Sequence, residues 1–192
     1  ISSFDELTTW SKDLREGLKK EVRYSSIRVL RELLSLNKDT IKVLFTRASD
    51  GKNFESVLMR HTDKRNTVCV SCMIGCPIGC TFCATGKMGF QGNLNSQEIV
   101  DQVLYFARLL KKEKEVITNV VFMGMGEPLS NLDEVMGAIA ILNDKGKMGL
   151  GTRRITISTS GITPFLKRLK TLGYKGRLAL SLHAPNQELR QQ

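Results

Sequence analysis

Three cysteines in one short run are the residues of this chain best suited to chemistry. Cys76, Cys80 and Cys83 have the spacing C-x3-C-x2-C, so one tight loop can present three thiolates. A cubic [4Fe–4S] cluster is usually held by four cysteines. Because three cysteines leave one iron with an open coordination position, we predict that this iron binds a second ligand on which a reaction takes place.

S-Adenosylmethionine suits an open iron, because its amino and carboxylate groups can chelate the metal. Reduction of the cluster could then cleave the sulfonium and release a carbon radical. The distribution of cysteines agrees with metal chemistry, since all five lie between residues 69 and 83. A disulfide framework would scatter them along a short secreted chain. We therefore expect a reducing compartment, the cytoplasm.

From residue 67 onward, the segments alternate between strand and helix patterns. Strands are predicted over 67–70, 117–123, 154–158 and 177–182, and helices over 96–112, 132–143 and 164–172, with Ser96 as the cap of the first helix. This alternation indicates a parallel sheet with helices outside it. Because four such strands cannot close a barrel, we expect an α/β fold of the partial, truncated (β/α) barrel type, formed by residues 63–192.

The first 62 residues have a different pattern, for which we expect a small α+β accessory domain of two helices and a β-hairpin. Helical patterns extend through 3–35, and the second helix is predicted to begin at Ser26, with apolar residues at 27, 29, 30, 33 and 34 on one face. Ile41, Val43 and Phe45 then alternate with polar or smaller neighbours before the turn signal Asp50-Gly51. This pattern predicts the hairpin.

Side chains capable of binding a ligand follow each of the last three predicted strands. These segments are GMGEP at 124–128, STSG at 158–161 and SLHA at 181–184. Functional groups of parallel α/β proteins collect where strands end. Glycines let a ligand approach the backbone, Glu127 can accept hydrogen bonds from an ammonium group, and serine hydroxyls suit a carboxylate or ribose. Singly these segments are ordinary turns and helix entries, but their recurrence behind the cysteine loop favours a binding site.

A zinc site is the competing interpretation of the cysteines. Cys69, Cys72, Cys80 and Cys83 form two C-x2-C pairs, which could hold a structural zinc in a nucleic-acid-binding module. The seven residues between the pairs are fewer than the usual 15–20, and this interpretation leaves Cys76 unused.

The charge of the chain favours an anionic partner. The formal net charge is +10 and is spread over both halves of the sequence, so RNA is a reasonable partner, although a generally basic surface would give the same count. Cations expected on the N-terminal helices are Lys19, Lys20, Arg23, Arg28 and Arg31. No apolar stretch reaches the roughly 18–20 residues that cross a bilayer, so we expect no membrane partner.

The stretch TVCVSCMIGCPIGCTFCATGKMGF closely resembles the radical S-adenosylmethionine methyltransferases that methylate adenine C2 in 23S ribosomal RNA and in transfer RNA. The likeness continues through VVFMGMGEPL, ITISTSG and LALSLHAPNQELR and covers essentially the whole chain. It implies a [4Fe–4S] cluster and S-adenosylmethionine as cofactors, 23S rRNA and tRNA as substrates, an electron donor such as flavodoxin or ferredoxin, and a monomer.

The resemblance also assigns roles to individual residues. The cluster ligands are Cys76, Cys80 and Cys83, and the residues that line the S-adenosylmethionine site are Gly126, Glu127, Ser158, Ser181, Leu182 and His183. Glu55 falls where the family places its proton acceptor. Cys69 matches the cysteine that helps to resolve a covalent RNA intermediate. Cys72 stands where many relatives have serine and receives no role.

The implied reaction uses two molecules of S-adenosylmethionine, one to methylate a cysteine near the C-terminus and one to generate the radical that activates this methyl group for addition to C2. The chain begins at Ile1 and has no cysteine after Cys83, so we expect a fragment that can assemble a cluster but cannot methylate RNA alone. The nearest alternative within the superfamily methylates adenine C8 at the same ribosomal site. The N-terminal segment and the GKMGF sequence favour C2.

Overall fold

The computed structural model describes residues 3–190, which form nine β-strands and six α-helices within that range. In chain order these are α1 Lys12–Glu21, β1 Ile27–Leu34, β2 Thr40–Arg47, β3 Asn53–Arg60, β4 Asn66–Cys69, β5 Met73–Ile74, α2 Ala84–Lys87, β6 Gly92–Asn93, α3 Ser96–Lys112, β7 Asn119–Phe122, α4 Leu132–Asn143, β8 Ile155–Thr159, α5 Thr163–Thr171, β9 Arg177–Leu180 and α6 Gln187–Arg190. Short 3-10 helices cover Phe4–Glu6, Pro128–Asn131 and Thr152–Arg154.

One seven-stranded sheet organises the described residues, in the order β1-β2-β3-β4-β7-β8-β9. Strands β1 to β4 are antiparallel neighbours, whereas β4, β7, β8 and β9 run parallel. The predicted α/β class, the β2–β3 hairpin, the four parallel strands and the three helices α3, α4 and α5 are confirmed.

Helix α3 shows why the helices cover one face of this sheet. Its apolar stripe, which includes Ile99, Val103 and Phe106, is fully buried in the core. The helix covers the predicted residues, but its cap is Asn95 rather than Ser96. Asn95 accepts a hydrogen bond from the backbone N–H of Glu98, while the Glu98 side chain accepts one from the N–H of Asn95. This capping box satisfies two backbone donors that the first turn would otherwise leave free.

Alternation along the strands gives the sheet two different faces. On the covered face, Val68 of β4, Val120 of β7 and Ile157 of β8 are completely buried against the helices. Their neighbours point to the other face, where Cys69 and Ser158 are only half-buried. We call this second face the open face. Its side chains come from the residues that alternate, along each strand, with the residues of the core.

The predicted helix beginning at Ser26 is wrong, because residues 27–34 form strand β1. The spacing of apolar residues fits a helix locally, but seven residues of the segment pair with β2 in an antiparallel register that has a bulge between Val29 and Arg31. Only Ile27 of β1 is buried. The predicted helical positions of Arg28 and Arg31 are wrong for the same reason.

Hydrogen bonds connect the N-terminal strands with the parallel core. Val57 of β3 pairs with Cys69 of β4, so the hairpin extends the same sheet. The buried carboxylate of Asp101 on α3 accepts hydrogen bonds from the hydroxyls of Ser25 and Ser26 and from the backbone N–H of Ser26. The division into two domains at residues 62 and 63 stays a prediction. None of the helices in residues 3–190 is both long and apolar enough to cross a membrane.

Candidate active site

The cysteine loop is closed at its base by a close backbone approach. Strands β5 and β6 pair antiparallel, the N–H of Cys76 donates to the carbonyl of Gly89 (3.2 Å), and the N–H of Gln91 donates to the carbonyl of Ile74 (2.9 Å). An added Cβ on Gly75 would overlap the carbonyl oxygen of Gly89, so only glycine fits there. The two limbs of the loop are therefore held in contact immediately before the first cysteine.

The tip of the loop is compact because it turns sharply and folds onto α2. Gly79 has a φ of +69°, and the N–H of Cys83 donates to the carbonyl of Cys80 (3.1 Å). An added Cβ on Gly86 would lie 2.8 Å from the carbonyl oxygen of Cys80, so α2 lies directly against the loop backbone. This arrangement brings the three predicted cluster ligands to one side of the loop.

The three cysteines share a cavity of about 310 Å³ with the ends of the parallel strands. Its walls include the predicted site residues Cys76, Cys80, Cys83, Gly126, Glu127, Ser158, Ser181 and His183. Pro128 and Ser160, from the predicted segments 124–128 and 158–161, also line it, as do the unpredicted residues Phe82 and Met123. The predicted Leu182 is not among the described lining residues, and its side chain is exposed. The structure thus brings together eight predicted residues that are up to 107 positions apart in the chain.

Glu127 is held in place by three internal hydrogen bonds. One carboxylate oxygen accepts from the N–H of Leu129 (3.1 Å), which caps the 3-10 helix Pro128–Asn131. The other oxygen accepts from the N–H (2.9 Å) and the hydroxyl (3.0 Å) of Ser160. The residue is 4% exposed. Because an ionised carboxylate can accept about four hydrogen bonds, one acceptor position is left for a ligand.

Gly126 and two serines form the adjoining wall of the cavity. Gly126 has a φ of +101°, and an added Cβ would lie 2.6 Å from the Cβ of Met73, so a side chain there would displace the backbone that precedes the cysteines. The hydroxyls of Ser158 and Ser181 lie 3.2 Å apart at the ends of β8 and β9. This wall presents backbone and hydroxyl groups rather than bulky side chains.

The cavity lining also contains an aromatic contact that the sequence did not indicate. The rings of Phe82 and His183 lie with centroids 4.4 Å apart. His183 has a φ of +57°, a conformation uncommon for residues other than glycine. The only sequence signal for Phe82 is its place between Cys80 and Cys83.

The donor set and its surroundings fit an iron–sulfur cluster. Burial raises the pKa of Cys76, and the nearby Cys80, Glu127 and Cys83 raise it further. Three thiols this close would repel one another as bare thiolates, and a cationic iron cluster would remove that cost. Within residues 3–190 no three cysteine, histidine or carboxylate side chains converge on one point, as ligands of a single ion would. A cubic cluster binds each thiolate through a different iron, so convergence is not required.

Glu55 and Cys69 lie on the open face of the sheet rather than in the cavity. Cys69 of β4 pairs with Val57 of β3, and Glu55 lies two residues before Val57 on β3. Because side chains two residues apart on a strand point to the same face, Cys69 and Glu55 share the open face. The carboxylate of Glu55 is 3.1 Å from the ammonium of Lys42 on β2. Burial raises the pKa of Cys69 to about 11, so its thiol is protonated at neutral pH.

Cys72, one of the four cysteines of the zinc interpretation, is part of the hydrophobic core. It is 2% exposed, its thiol donates to the carbonyl of Met125 (3.7 Å), and burial raises its pKa. Cys69 belongs to the sheet, whereas Cys80 and Cys83 lie in the exposed loop. A zinc site built from these four residues would have to extract Cys72 from the core.

Comparison with known proteins connects this geometry with one enzyme superfamily. Residues 70–192 match the family model of the Radical SAM superfamily. A crystal structure of a radical SAM methyltransferase from Sphaerobacter thermophilus has a TM-score of 0.94 to this chain at 44% sequence identity, covering 99% of this chain and 55% of that chain. This likeness confirms the fold predicted from the sequence.

Curated relatives carry related names. A Ribosomal RNA large subunit methyltransferase N from Nitrosopumilus maritimus is 47% identical over 187 residues, which cover 93% of this chain and 53% of the relative. A Dual-specificity RNA methyltransferase RlmN from Campylobacter fetus is 45% identical over 202 residues, covering 98% of this chain and 56% of the relative. The chain spans about half the length of the curated relatives it matches.

Proposed function

Because this chain belongs to the radical SAM superfamily, we propose that it contains the cofactor-binding core of an RNA methyltransferase that methylates C2 of adenine in 23S rRNA and tRNA. The observation that carries the proposal is the shared cavity of Cys76, Cys80, Cys83 and Glu127 at the ends of the parallel strands. The names of the relatives, which refer to ribosomal RNA and to dual specificity, support RNA as the substrate.

The superfamily implies a [4Fe–4S] cluster and S-adenosylmethionine, and the residues present suit both. Cys76, Cys80 and Cys83 would hold the cluster by three thiolates. When bound, the reduced cluster supplies the electron that cleaves the sulfonium of S-adenosylmethionine. The remaining acceptor position of Glu127 suits the ammonium group of S-adenosylmethionine, and the positive φ of Gly126 turns the backbone beside it without a side chain in the way.

The other walls suit the remaining groups of the same ligand. The paired hydroxyls of Ser158 and Ser181 are suited to a carboxylate or ribose. His183, with its ring against Phe82, closes the cavity beside the cysteines. Leu182 was assigned to this site by resemblance. We propose only a backbone role for it, because its exposed side chain does not line the cavity.

The two residues of the open face fit the RNA side of the reaction. Methylation at C2 must remove the proton that C2 carries, and the carboxylate of Glu55, beside Lys42, can accept it. A second thiol can break a carbon–sulfur link between enzyme and RNA by attacking the linking sulfur. The two sulfurs then form a disulfide, and the electron pair of the broken bond takes up a proton to complete the methyl group. Cys69, on the same face as Glu55, could supply this thiol. The position of both groups on one face supports their action on one substrate base.

The partners follow from the same proposal. We propose that a flavodoxin or ferredoxin supplies the electron, and that the protein acts as a monomer in the cytoplasm. Exposed cations near the N-terminus, such as Lys20 on α1 and Arg28 on β1, would contact RNA phosphates. Lys19 is less available, because its ammonium lies 2.5 Å from Asp5 and 3.0 Å from Glu16.

Anaerobic reconstitution with iron and sulfide tests the cofactor half of the proposal. We expect a brown protein with about four iron atoms per chain and broad absorption near about 400 nm. The Cys80→Ala variant should lose the cluster, whereas Cys72→Ala should retain it. A colourless protein that binds one zinc, or equal loss in both variants, would contradict the ligand assignment and favour the zinc module.

Mass analysis of RNA tests the substrate half. Expression of the full-length gene in cells that lack their own adenine-C2 methyltransferase should produce 2-methyladenine in both 23S rRNA and tRNA. The product 8-methyladenine would replace the proposal by its nearest alternative. Normal cluster assembly with no modified adenine in either RNA would refute the RNA specificity while leaving the cofactor assignment intact.

A further inference from the structure

A side chain of the N-terminal hairpin contacts the cysteine loop directly. Arg47, at the end of β2, donates a hydrogen bond from Nη1 to the carbonyl of Asn93 on β6 (2.8 Å). Its Nε donates to Asp50 (2.8 Å), and its Nη2 pairs with the second oxygen of the same carboxylate. The Arg47 side chain is 12% exposed. Asp50 therefore fixes the guanidinium in the orientation that reaches β6.

A second cation of the hairpin makes the same kind of contact. The ammonium of Lys52, at the other side of the turn, donates to the carbonyl of Gln91 (2.7 Å) and lies 3.6 Å from Asp50. Between the two acceptors lies Gly92, where an added Cβ would come within 3.3 Å of the Arg47 guanidinium. The hairpin and β6 are thus fitted to each other on both sides.

The contacted segment is the limb along which the chain returns from the cysteines. Gly92 and Asn93 pair with Ile74 and Met73, and Gly89 accepts the hydrogen bond from the N–H of Cys76. The carbonyls of Gln91 and Asn93 accept hydrogen bonds from side chains outside this pairing. Arg47 and Lys52 satisfy these two carbonyls from a segment that is about 40 residues earlier in the sequence.

We propose that the tip of the β2–β3 hairpin is a brace that positions the cysteine loop for its cluster, with Arg47 and Lys52 as positioning residues and Asp50 as the group that orients them. The inference rests on the proposed function for the identity of the cluster. The brace gives the N-terminal strands a role in cofactor binding, apart from any contact with RNA.

The test compares two double variants, each of which removes two positive charges. Arg47→Met with Lys52→Met removes both contacts to the limb. The matched control, Arg65→Met with Lys147→Met, removes two other cations that are paired with aspartates in exposed turns, Arg65 with Asp63 and Lys147 with Asp144. Hydrogen exchange is measured on metal-free protein, and cluster retention is measured separately as iron lost to a chelator after reconstitution.

We expect the amides of residues 89–93 and Cys76 to exchange on the order of ten-fold faster in the Arg47/Lys52 variant, since two charge-assisted hydrogen bonds are lost. Iron loss should accelerate similarly. Arg47→Lys alone should keep part of the protection that the double variant loses, because an ammonium can donate a hydrogen bond to Asn93 or to Asp50 but not to both at once.

Protection and iron loss equal to those of the control variant would overturn the inference. So would faster exchange throughout β2 and β3, because the residues would then serve hairpin folding rather than loop positioning. If the unaltered protein and the control both fail to bind a cluster, the proposed function fails. The exchange measurement on metal-free protein still decides in that case whether the brace exists.

Discussion

Alanine at Gly75 and at Gly89 should have very different effects, although the two glycines face each other and share a φ of +69°. At Gly89 an added Cβ meets nothing within 4 Å. At Gly75 it would overlap the carbonyl oxygen of Gly89 and lie 2.8 Å from the carbonyl carbon. Each substitution imposes the same backbone strain, and only Gly75→Ala adds a steric conflict between the two limbs.

The magnitudes follow from these contacts. An alanine forced to a positive φ costs about 1–2 kcal/mol in either variant. The conflict at Gly75 must push the limbs apart, which breaks the hydrogen bonds Cys76 N–H to Gly89 and Gln91 N–H to Ile74. At about 0.5–1.5 kcal/mol for each bond, Gly75→Ala should cost roughly 1–3 kcal/mol more than Gly89→Ala.

Urea unfolding of metal-free protein measures this difference directly, and iron and sulfide analysis after reconstitution measures its consequence. We expect Gly89→Ala to bind a nearly complete cluster and Gly75→Ala to bind little iron. Equal unfolding free energies for the two variants would refute the argument that the base of the loop is closed by this contact. Full iron content in Gly75→Ala would show that the cluster does not need that closure.

Two further predictions concern groups whose environment is unusual. Because the folded protein raises the pKa of Cys69 to about 11, its alkylation at pH 7.5 should be at least about 100-fold slower than that of an unfolded peptide. The unfolded thiol begins to ionise near about pH 8.5, whereas the folded thiol does so only near 11, so the free energy of unfolding falls as the pH rises through this interval. Cys69→Ala should flatten the pH dependence of unfolding there. Glu127→Gln should lower the free energy of unfolding by about 2–4 kcal/mol, because the amide nitrogen cannot accept the hydrogen bonds that Leu129 or Ser160 donates to the carboxylate. Stability equal to that of a Glu16→Gln control in urea unfolding would contradict the burial and bonding of Glu127.

The elements that the sequence predicted correctly are those whose pattern is long enough to exclude alternatives. Helix α3 spans 17 residues with one apolar stripe, and its burial follows from that stripe alone. Residues 27–34 have no such length. Their apolar spacing fits a helix and a strand, and pairing with β2 decides the outcome. That pairing depends on residues outside the segment, so local spacing could not reveal it.

The candidate site likewise has features with local sequence signals and features that depend on distant residues. Cysteine spacing and the glycines at strand ends are local signals, and they predict Cys76, Gly126 and Glu127 as site residues, which the structure places around one cavity. The partners of these residues are non-local. Ser160 reaches Glu127 from the next strand end, and the ring of Phe82 contacts that of His183. Since no short-range pattern encodes such contacts, the sequence indicated the site but not its internal support.

Strand register explains why the cavity and the open face adjoin each other. Cys69 pairs with Val57 on one side and with Val121 on the other, which places its thiol on the face that also carries Glu55 and Ser158. Side chains alternate with a period of two, so a slip of one residue in β4 would bury Cys69 among the helices and expose Val68. Ser158 both belongs to this face and lines the cavity. A substrate base lying on the open face would therefore adjoin the cofactor without any movement of the sheet.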